Sequence, residues 1–217
     1  MKSFCIIGLG RFGKTLAKAL VRSGHEVVIL DDDEEAVNSL ADYVSDAIIG
    51  DATSEAVLRQ AGAADADCVV IAVSNNLSDC IITTLLLKDM GAKKVVVRAN
   101  SDLECRVLEK VGADMVVFPE QQMGEKLAYS LDKNNVMDHI QFSGEYSIVE
   151  TSVPAEWIGK SLIDLNVRRE YGVNVIAVTD ARGKMNISPD PKKLFEAGEN
   201  VTVIGENRNI DKLVKMK

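Results

Sequence analysis

The residues best suited to chemistry lie near the N-terminus, where residues 8–13 read G-L-G-R-F-G and match the pattern G-x-G-x-x-G. A short apolar segment precedes this motif and an amphipathic one, residues 15–23, follows it, which is typical of a strand, a tight turn and a helix. In such a turn Gly8 allows the bend, Gly10 lets a diphosphate approach the backbone, and Gly13 lets the helix pack closely. The free N–H groups of the helix would face the phosphates. The motif therefore predicts a nucleotide site.

A run of acidic residues follows the second predicted strand and begins with Asp31. Asp31 lies about twenty residues beyond the glycine motif, where a carboxylate that binds a ribose is expected. Asp32 and Asp33 are further candidates, although residues 33–35 also suit a solvated acidic turn that caps the next helix. The acids would repel a 2′-phosphate, so NADP is disfavoured.

The elements that must position these residues alternate between strand and helix as far as residue 118. This alternation predicts parallel strands joined by right-handed crossovers, hence a Rossmann-like, doubly wound α/β sheet of about six strands. A polar break at residues 132–135 predicts a hinge. The predicted domains are 1–134, which binds nucleotide, and 135–217, a hinge and a smaller α+β C-terminal lobe from about residue 143.

Ligands of open parallel sheets bind beyond the carboxyl ends of the strands. Asp51 suits an adenine amino group and Ala52 offers backbone atoms to the ring, whereas Ser74 and Asn75 are placed opposite the glycine turn. Each of these residues is equally compatible with ordinary loop polarity. In chain order the candidates are Gly8, Gly10, Arg11, Phe12, Gly13, Asp31, Asp32, Asp33, Asp51, Ala52, Val73, Ser74, Asn75, Arg98, Ala99, Asn100 and Glu120.

Two charged residues among these suggest contacts with a terminal phosphate. Arg11 lies inside the glycine turn and suits a terminal phosphate of its own subunit or of a neighbour, with a surface ion pair as the alternative. Glu120 would repel phosphates unless a cation lies between them, which makes it a candidate ligand of a divalent ion. The alternative for Glu120 is a simple acid at the start of a helix.

Composition and missing motifs narrow the function. The net charge of -8 argues against a nucleic-acid partner, and no apolar run approaches the roughly twenty residues of a bilayer span. We expect no signal peptide and four free thiols in a reducing cytosol. No predicted strand end or loop supplies a His–Asp pair, a nucleophile elbow, a Tyr-x-x-x-Lys motif or a metal cluster, so we expect a protein that holds a nucleotide without transforming it. The alternatives are a small NAD-dependent oxidoreductase and a nucleotide-sensing repressor.

Several further motifs carry a family resemblance: H-E-V-x-x-x-D from residue 25, G-D-A-T at 50–53, T-T-L-L-L-K at 83–88 and P-E-x-x-M-G at 119–124. With the glycine motif they resemble the RCK (KTN) domain. The segment S-L-I-D-L-N-V-R-x-x-Y-G-V at 161–173 resembles the RCK C-terminal domain. Together they are similar to the regulatory subunits of Trk/Ktr-type potassium uptake systems, closest to the KtrA type.

The resemblance implies a cytoplasmic protein on the inner face of the membrane, a homodimer that assembles into an octameric ring. Its implied partner is a potassium-translocating subunit of the KtrB/TrkH type, gated by ATP, ADP or NAD(H) in the N-terminal lobe. By position, Arg11 would reach a γ-phosphate across the dimer, and Glu120 would join a cation site with it. Cyclic di-AMP is an implied second ligand, at Ile163, Asn166 and Arg168, although Arg168 also suits an interface ion pair.

Overall fold

The computed structural model describes residues 1–73, 76–132, 136–141 and 143–216. The chain divides into two compact units, Met1–Gln121 and Gln122–Lys217. The domain boundary after residue 134 stays a prediction. Residues 133–135 of the predicted hinge lie outside the described residues.

The first unit is built on a six-stranded sheet in the order β3-β2-β1-β4-β5-β6, in which every neighbouring pair is parallel. The order reverses direction between β1 and β4, which is the doubly wound pattern predicted from the sequence. Its elements are β1 Ser3–Ile7, α1 Arg11–Arg22, β2 Glu26–Asp31, α2 Glu34–Asn38, β3 Asp46–Ile49, α3 Glu55–Gln60, β4 Cys68–Ile71, α4 Leu77–Asp89, β5 Val95–Arg98, α5 Asp102–Val111 and β6 Met115–Val117. The helix α6, Pro119–Asp132, follows.

Helices cover both faces of this sheet because successive side chains of a strand point to opposite sides. Cys5 and Ile7 of β1 join one buried cluster, whereas Ile6 joins the other. In the same way Ile71 of β4 lies on the first side and Val70 on the second. Strands buried on both faces read as continuous apolar runs, which is how these segments stand in the sequence.

The first helix begins earlier than its predicted start at residue 15. It begins at Arg11, directly after Gly10, and places Phe12 and Gly13 in its first turn. A glycine in a helix costs about 1 kcal/mol relative to alanine, so local propensity does not favour a helix at Gly13. The predicted amphipathic character is confirmed, since Phe12 and Leu16 pack against the buried cluster whereas Arg11 is exposed.

The second unit carries a five-stranded sheet in the order β10-β9-β11-β8-β7, whose pairs are all antiparallel. Its strands and helices are β7 Val136–Gln141, β8 Tyr146–Ser152, α7 Leu162–Leu165, α8 Val167–Glu170, β9 Val173–Thr179, β10 Met185–Asn186, β11 Asn200–Glu206 and α9 Asn207–Val214. The smaller α+β lobe is thereby confirmed. β7 was not predicted, because Asp138 and His139 interrupt the alternation of its sequence.

Trp157 is fully buried at the centre of the second core. Its ring meets Tyr171 edge-on at 5.2 Å between centroids and Phe195 at 5.5 Å. Aromatic contacts of this kind add to the stabilisation that apolar burial provides. They hold the segments around α7 and the loop before β11 against the sheet.

Candidate functional site

The glycine turn leads from β1 into α1 and packs against the end of β4. Gly8 has φ +93°, and a Cβ placed there would lie 2.7 Å from the Val73 backbone nitrogen. A side chain at this position would therefore be strained and would collide with the neighbouring strand end. The Gly8 N–H donates to the Leu30 carbonyl at 2.9 Å, which links the turn to β2 as well.

The other two glycines of the motif differ in the space around them, which is filled at Gly13 and open at Gly10. A Cβ at Gly13 would lie 1.9 Å from the Gly8 carbonyl oxygen, so the first turn of α1 packs directly on the glycine turn. A Cβ at Gly10 would meet no described atom within 4 Å. The space over Gly10 is thus open at the N-terminus of α1, where unpaired N–H groups favour an anion.

Asp31, the last residue of β2, organises the turn. One carboxylate oxygen accepts from the Leu9 N–H between the two first glycines, and the other accepts from the Asp33 N–H at 2.9 Å. Asp33 caps α2 by accepting from Glu35 at 2.9 Å and from Ala36 at 3.2 Å. The carboxylate expected at a ribose therefore lies beside the glycine turn, and the capping interpretation of Asp33 is confirmed. Asp32 is exposed.

The end of β3 carries the two residues predicted to contact adenine. Asp51 accepts from the Thr53 hydroxyl at 2.7 Å and from the Thr53 N–H at 2.8 Å through the same oxygen. These bonds, the hydroxyl first, hold the pKa of the Asp51 carboxyl below its usual value. Ala52 is anchored from α4, because its carbonyl accepts from the Thr83 hydroxyl at 3.2 Å.

Arg98, at the end of β5, connects α1 with α6. Its guanidinium lies 6.0 Å from the centroid of the Phe12 ring, and its Nη2 is 2.5 Å from a carboxylate oxygen of Glu120. The Arg98 side chain is 14% exposed, and its buried Nε has no acceptor in the described part of the chain. The cation beside Glu120 in this structure is therefore Arg98, a contact that the sequence analysis did not foresee.

The remaining predicted residues occupy the same edge of the sheet with differing exposure. Arg11 is exposed in the first turn of α1, and no ion pair of it occurs among the described residues. Ala99 is buried and its N–H donates to Val117 at 2.9 Å, whereas the backbone N–H of Asn100 donates to Glu104 at 2.8 Å. Ser74 and Asn75 lie outside the described residues.

The three residues predicted to contact a second ligand line one depression of about 420 Å³ in the second unit. Ile163 is in α7, Arg168 is in α8, and Asn166 joins the two helices. Asn166 has φ +43°, a left-handed conformation that asparagine tolerates better than most residues. Asn174, in β9, also lines the depression. The structure thus brings together the residues that the sequence predicted for this lobe.

The described residues offer neither a metal cluster nor a membrane span. Among them no three His, Cys, Asp or Glu side chains gather in a way that could hold a metal ion. In the same ranges, no helix is both long and apolar enough to cross a bilayer. The four cysteines are free, and burial raises the pKa of Cys5 to about 12 and that of Cys80 to about 11.

Sequence reasoning missed two contacts at the strand ends. The first is the Leu9 N–H that Asp31 holds, and the second is the Arg98–Glu120 ion pair. The Arg98–Glu120 ion pair could have been predicted from the order of the strands. β5 and β6 are successive parallel strands, so a basic residue at one end and an acidic residue just after the other are expected to be neighbours.

Both halves of the chain match protein families. The TrkA-N domain matches residues 4–119 and the TrkA-C domain matches residues 147–217. The chain is 39% identical over 215 residues to the Ktr system potassium uptake protein C of Bacillus subtilis, covering 99% of this chain and 96% of the relative. Protein A of the same system and organism is 40% identical over 209 residues, with coverages of 96% and 94%.

Solved structures share the fold at lower identity. The GsuK RCK domain has a TM-score of 0.67 and 19% identity, covering 99% of this chain and 48% of the GsuK chain. The GsuK channel bound to NAD has a TM-score of 0.65 and 20% identity, covering 98% of this chain and 39% of the other. The chain thus spans less than half of each GsuK chain.

The family matches in both lobes, the order of the strands, and the 39% to 40% identity over nearly the whole chain lead to one assignment. The chain belongs to the family of proteins with TrkA-N and TrkA-C domains, has the fold of RCK domains, and is homologous to the Ktr system potassium uptake proteins.

Proposed function

We propose that this chain is a nucleotide-sensing regulatory subunit that controls a membrane potassium transporter or channel. The observation that carries the proposal is the 39% to 40% identity with two Ktr system potassium uptake proteins over more than nine-tenths of each relative. Both lobes are included in this identity. The match therefore extends beyond a nucleotide-binding fold that many unrelated functions share.

The proposed ligand of the first unit is ATP, ADP or NAD(H), bound over the glycine turn. The open space at Gly10 leaves room for a diphosphate, and Asp31 lies beside the turn where a ribose is expected. The GsuK channel has been solved with NAD, so NAD(H) is among the ligands to test here. The acidic residues after β2 disfavour NADP, whose 2′-phosphate they would repel.

The terminal phosphate is the proposed point of discrimination. Arg11 is exposed at the N-terminus of α1 and would pair with a γ-phosphate of its own subunit or of a neighbour. We also propose a divalent cation between the γ-phosphate and Glu120. Because Glu120 pairs with Arg98 in this structure, the cation and Arg98 would compete for one carboxylate.

Gating would be a shift of population between two forms of an assembly. A ligand moves such an equilibrium only by its difference in affinity for the two forms. In the proposed assembly, homodimers form an octameric ring on the cytoplasmic face of a KtrB/TrkH-type membrane subunit. Cyclic di-AMP is the proposed second ligand, at the depression that Ile163, Asn166 and Arg168 line.

We further propose that the chain catalyses no reaction on its nucleotide, since its homologues are potassium uptake proteins. The competing function is a small NAD-dependent oxidoreductase. Oxidation of NADH by the purified protein with any of a panel of carbonyl compounds would favour that alternative.

Calorimetric titration of ATP and ADP into two variants tests the proposed discrimination. Arg11→Ala should remove the preference for ATP over ADP while leaving ADP affinity nearly unchanged, because ADP lacks the γ-phosphate. Arg22→Ala is the matched control, since it removes an exposed arginine from the last turn of the same helix, roughly 16 Å away. An unchanged preference in Arg11→Ala would contradict the role given to Arg11.

Native mass spectrometry of the purified protein tests the ligand and the assembly together. The expected spectrum is a homo-octamer that retains an adenine nucleotide. A monomer without nucleotide, still empty after addition of ATP, ADP and NADH, would contradict the proposed function.

A further inference from the structure

A second cavity, of about 390 Å³, lies in the second unit and is separate from the depression beside α8. It lies between the β9–β10 hairpin and the loop of residues 187–199. Its volume is in the range of small-molecule sites. Half of its lining side chains are apolar, among them Leu162, Val178 and Phe195, and the others are charged or carry an amide.

The most unusual lining residue is Glu199, whose side chain is only 4% exposed. One carboxylate oxygen accepts from the Lys193 ammonium at 2.6 Å and the other from the Glu196 N–H at 2.9 Å. A carboxylate oxygen can accept more than one hydrogen bond, so Glu199 retains capacity for a further donor. Lys193, in contrast, is 53% exposed and can turn toward solvent. The buried anion is therefore covered by a cation that is itself half exposed.

The remaining charges of the cavity limit the kind of ligand. Asp180 and Asp190 also line it; one oxygen of Asp180 accepts from two backbone N–H groups of its own turn, and one oxygen of Asp190 accepts from one. Lys184 lines the cavity with Lys193. Three carboxylates and two ammonium groups disfavour a ligand with net negative charge. No metal cluster occurs among the described residues, which include this whole lining.

We propose that this cavity binds a small zwitterion with an apolar body, of the α-amino acid class. The ligand's ammonium group contacts Glu199, and its carboxylate pairs with the ammonium groups of Lys193 and Lys184. Its side chain packs on the apolar wall formed by Val178 and Phe195. A zwitterion satisfies both members of the ion pair without adding net charge, which neither an amine nor a carboxylic acid alone achieves.

The residues that line this cavity are in direct contact with those that line the depression. Leu162 lines both of them. The Ile163 N–H donates to the Pro191 carbonyl at 3.2 Å, and Leu194 forms a bridge with Ser161. The loop that closes the cavity therefore also holds the start of α7. A bound amino acid stabilises this start and acts on the neighbouring depression.

Thermal-shift and calorimetric titrations of the full-length protein with L-leucine, L-isoleucine and L-methionine test the proposal. Each should stabilise the protein and bind saturably, whereas glycine should bind more weakly because it has no apolar side chain. N-acetyl-L-leucine and L-leucinamide each lack one charge and should bind about tenfold more weakly or worse. Absence of binding up to about 10 mM, well above a millimolar Kd, or equal binding of the blocked analogues, would overturn the proposal.

Two variants assign the binding to this cavity. Lys193→Ala removes the half-exposed cation and should weaken leucine binding, as should Glu199→Gln, whose amide keeps the shape of the buried group. Lys192→Ala is the matched control, because Lys192 is an exposed neighbour whose side chain does not line the cavity. Leucine affinity in Lys193→Ala equal to that of Lys192→Ala would refute the assignment. ADP affinity should be the same in all three variants, so this test is independent of the first site.

Discussion

Replacement of Gly10 by alanine should separate nucleotide binding from folding. The φ of Gly10 is -65°, which any residue adopts, and a Cβ there would meet no described atom within 4 Å. Gly10 is the N-cap of α1, where alanine costs up to about 1 kcal/mol more than glycine. The reduced entropy of the unfolded chain offsets about 0.4–1 kcal/mol of this cost. We therefore expect the free energy of unfolding to change by less than about 1 kcal/mol.

The same methyl group should impair binding strongly. It occupies the open space at the N-terminus of α1, through which a diphosphate would approach the backbone N–H groups. Loss of a single charge-assisted hydrogen bond costs about 1.5–3 kcal/mol. Since 1.4 kcal/mol corresponds to a factor of ten, Gly10→Ala should bind ADP and NADH about ten- to a hundredfold more weakly.

Urea unfolding and calorimetric titration of the same preparations measure the two effects. Gly124→Ala is the control, because Gly124 also has open surroundings but lies in α6. It should gain about 1 kcal/mol of stability from helix propensity and keep its nucleotide affinity. Gly13→Ala should instead lose stability, since its Cβ would lie 1.9 Å from the Gly8 carbonyl. A Gly10→Ala protein that folds and binds like wild type would refute the placement of the diphosphate.

Three further results are expected. Arg98→Met should leave the melting temperature unchanged or higher, because the buried Nε has no acceptor in the described part of the chain and the ion pair to the half-exposed Glu120 contributes little. The same variant should weaken nucleotide binding, since Arg98 is one of the candidate site residues at the strand ends. A clear loss of stability in thermal denaturation would contradict this expectation. The Ser3 N–H, and then a lysine ammonium, lower the pKa of Asp67 below 3.8, so its stabilisation is complete above that pH and lost as pH falls through the folded-state pKa. Asp67→Asn should therefore flatten the acid side of the stability curve measured by urea unfolding, and a curve parallel to wild type would be the contrary result. Burial raises the pKa of Cys5 to about 12, so its thiol should resist a disulfide reagent at pH 8 until urea unfolds the protein, as mass spectrometry of the labelled peptides can check.

The parts of the fold that local pattern specifies were predictable. The continuous apolar run of β4 and the alternation of strands with helices led to a parallel sheet, and the observed strand order agrees. The start of α1 was misplaced because Gly13 is a poor helix former. In the structure its missing side chain is what allows contact with Gly8, so tertiary packing outweighs local propensity.

The candidate site was predictable only as a set of positions. Strand ends of a parallel sheet share one edge, so the sequence could indicate that Asp31, Arg98 and Glu120 lie there. It could not indicate which of them meet. Glu120 was predicted either as a ligand of an added cation or as an acid at the start of a helix, and neither alternative named the Arg98 guanidinium, which lies 2.5 Å from its carboxylate. Partner choice depends on ångström distances between residues that lie far apart in the chain.

By itself, the sequence of this protein determined the type and order of the strands and main helices of the first unit, the glycine turn and the family resemblance, because periodicity, turn chemistry and motif spacing are local properties. Only the tertiary structure decided that Asp31 holds the Leu9 N–H, that Arg98 lies between Phe12 and Glu120, and that Glu199 is buried beneath Lys193. These contacts arise when packing of the core brings distant segments together. The strength of charge interactions then depends on burial and distance, which no local pattern encodes.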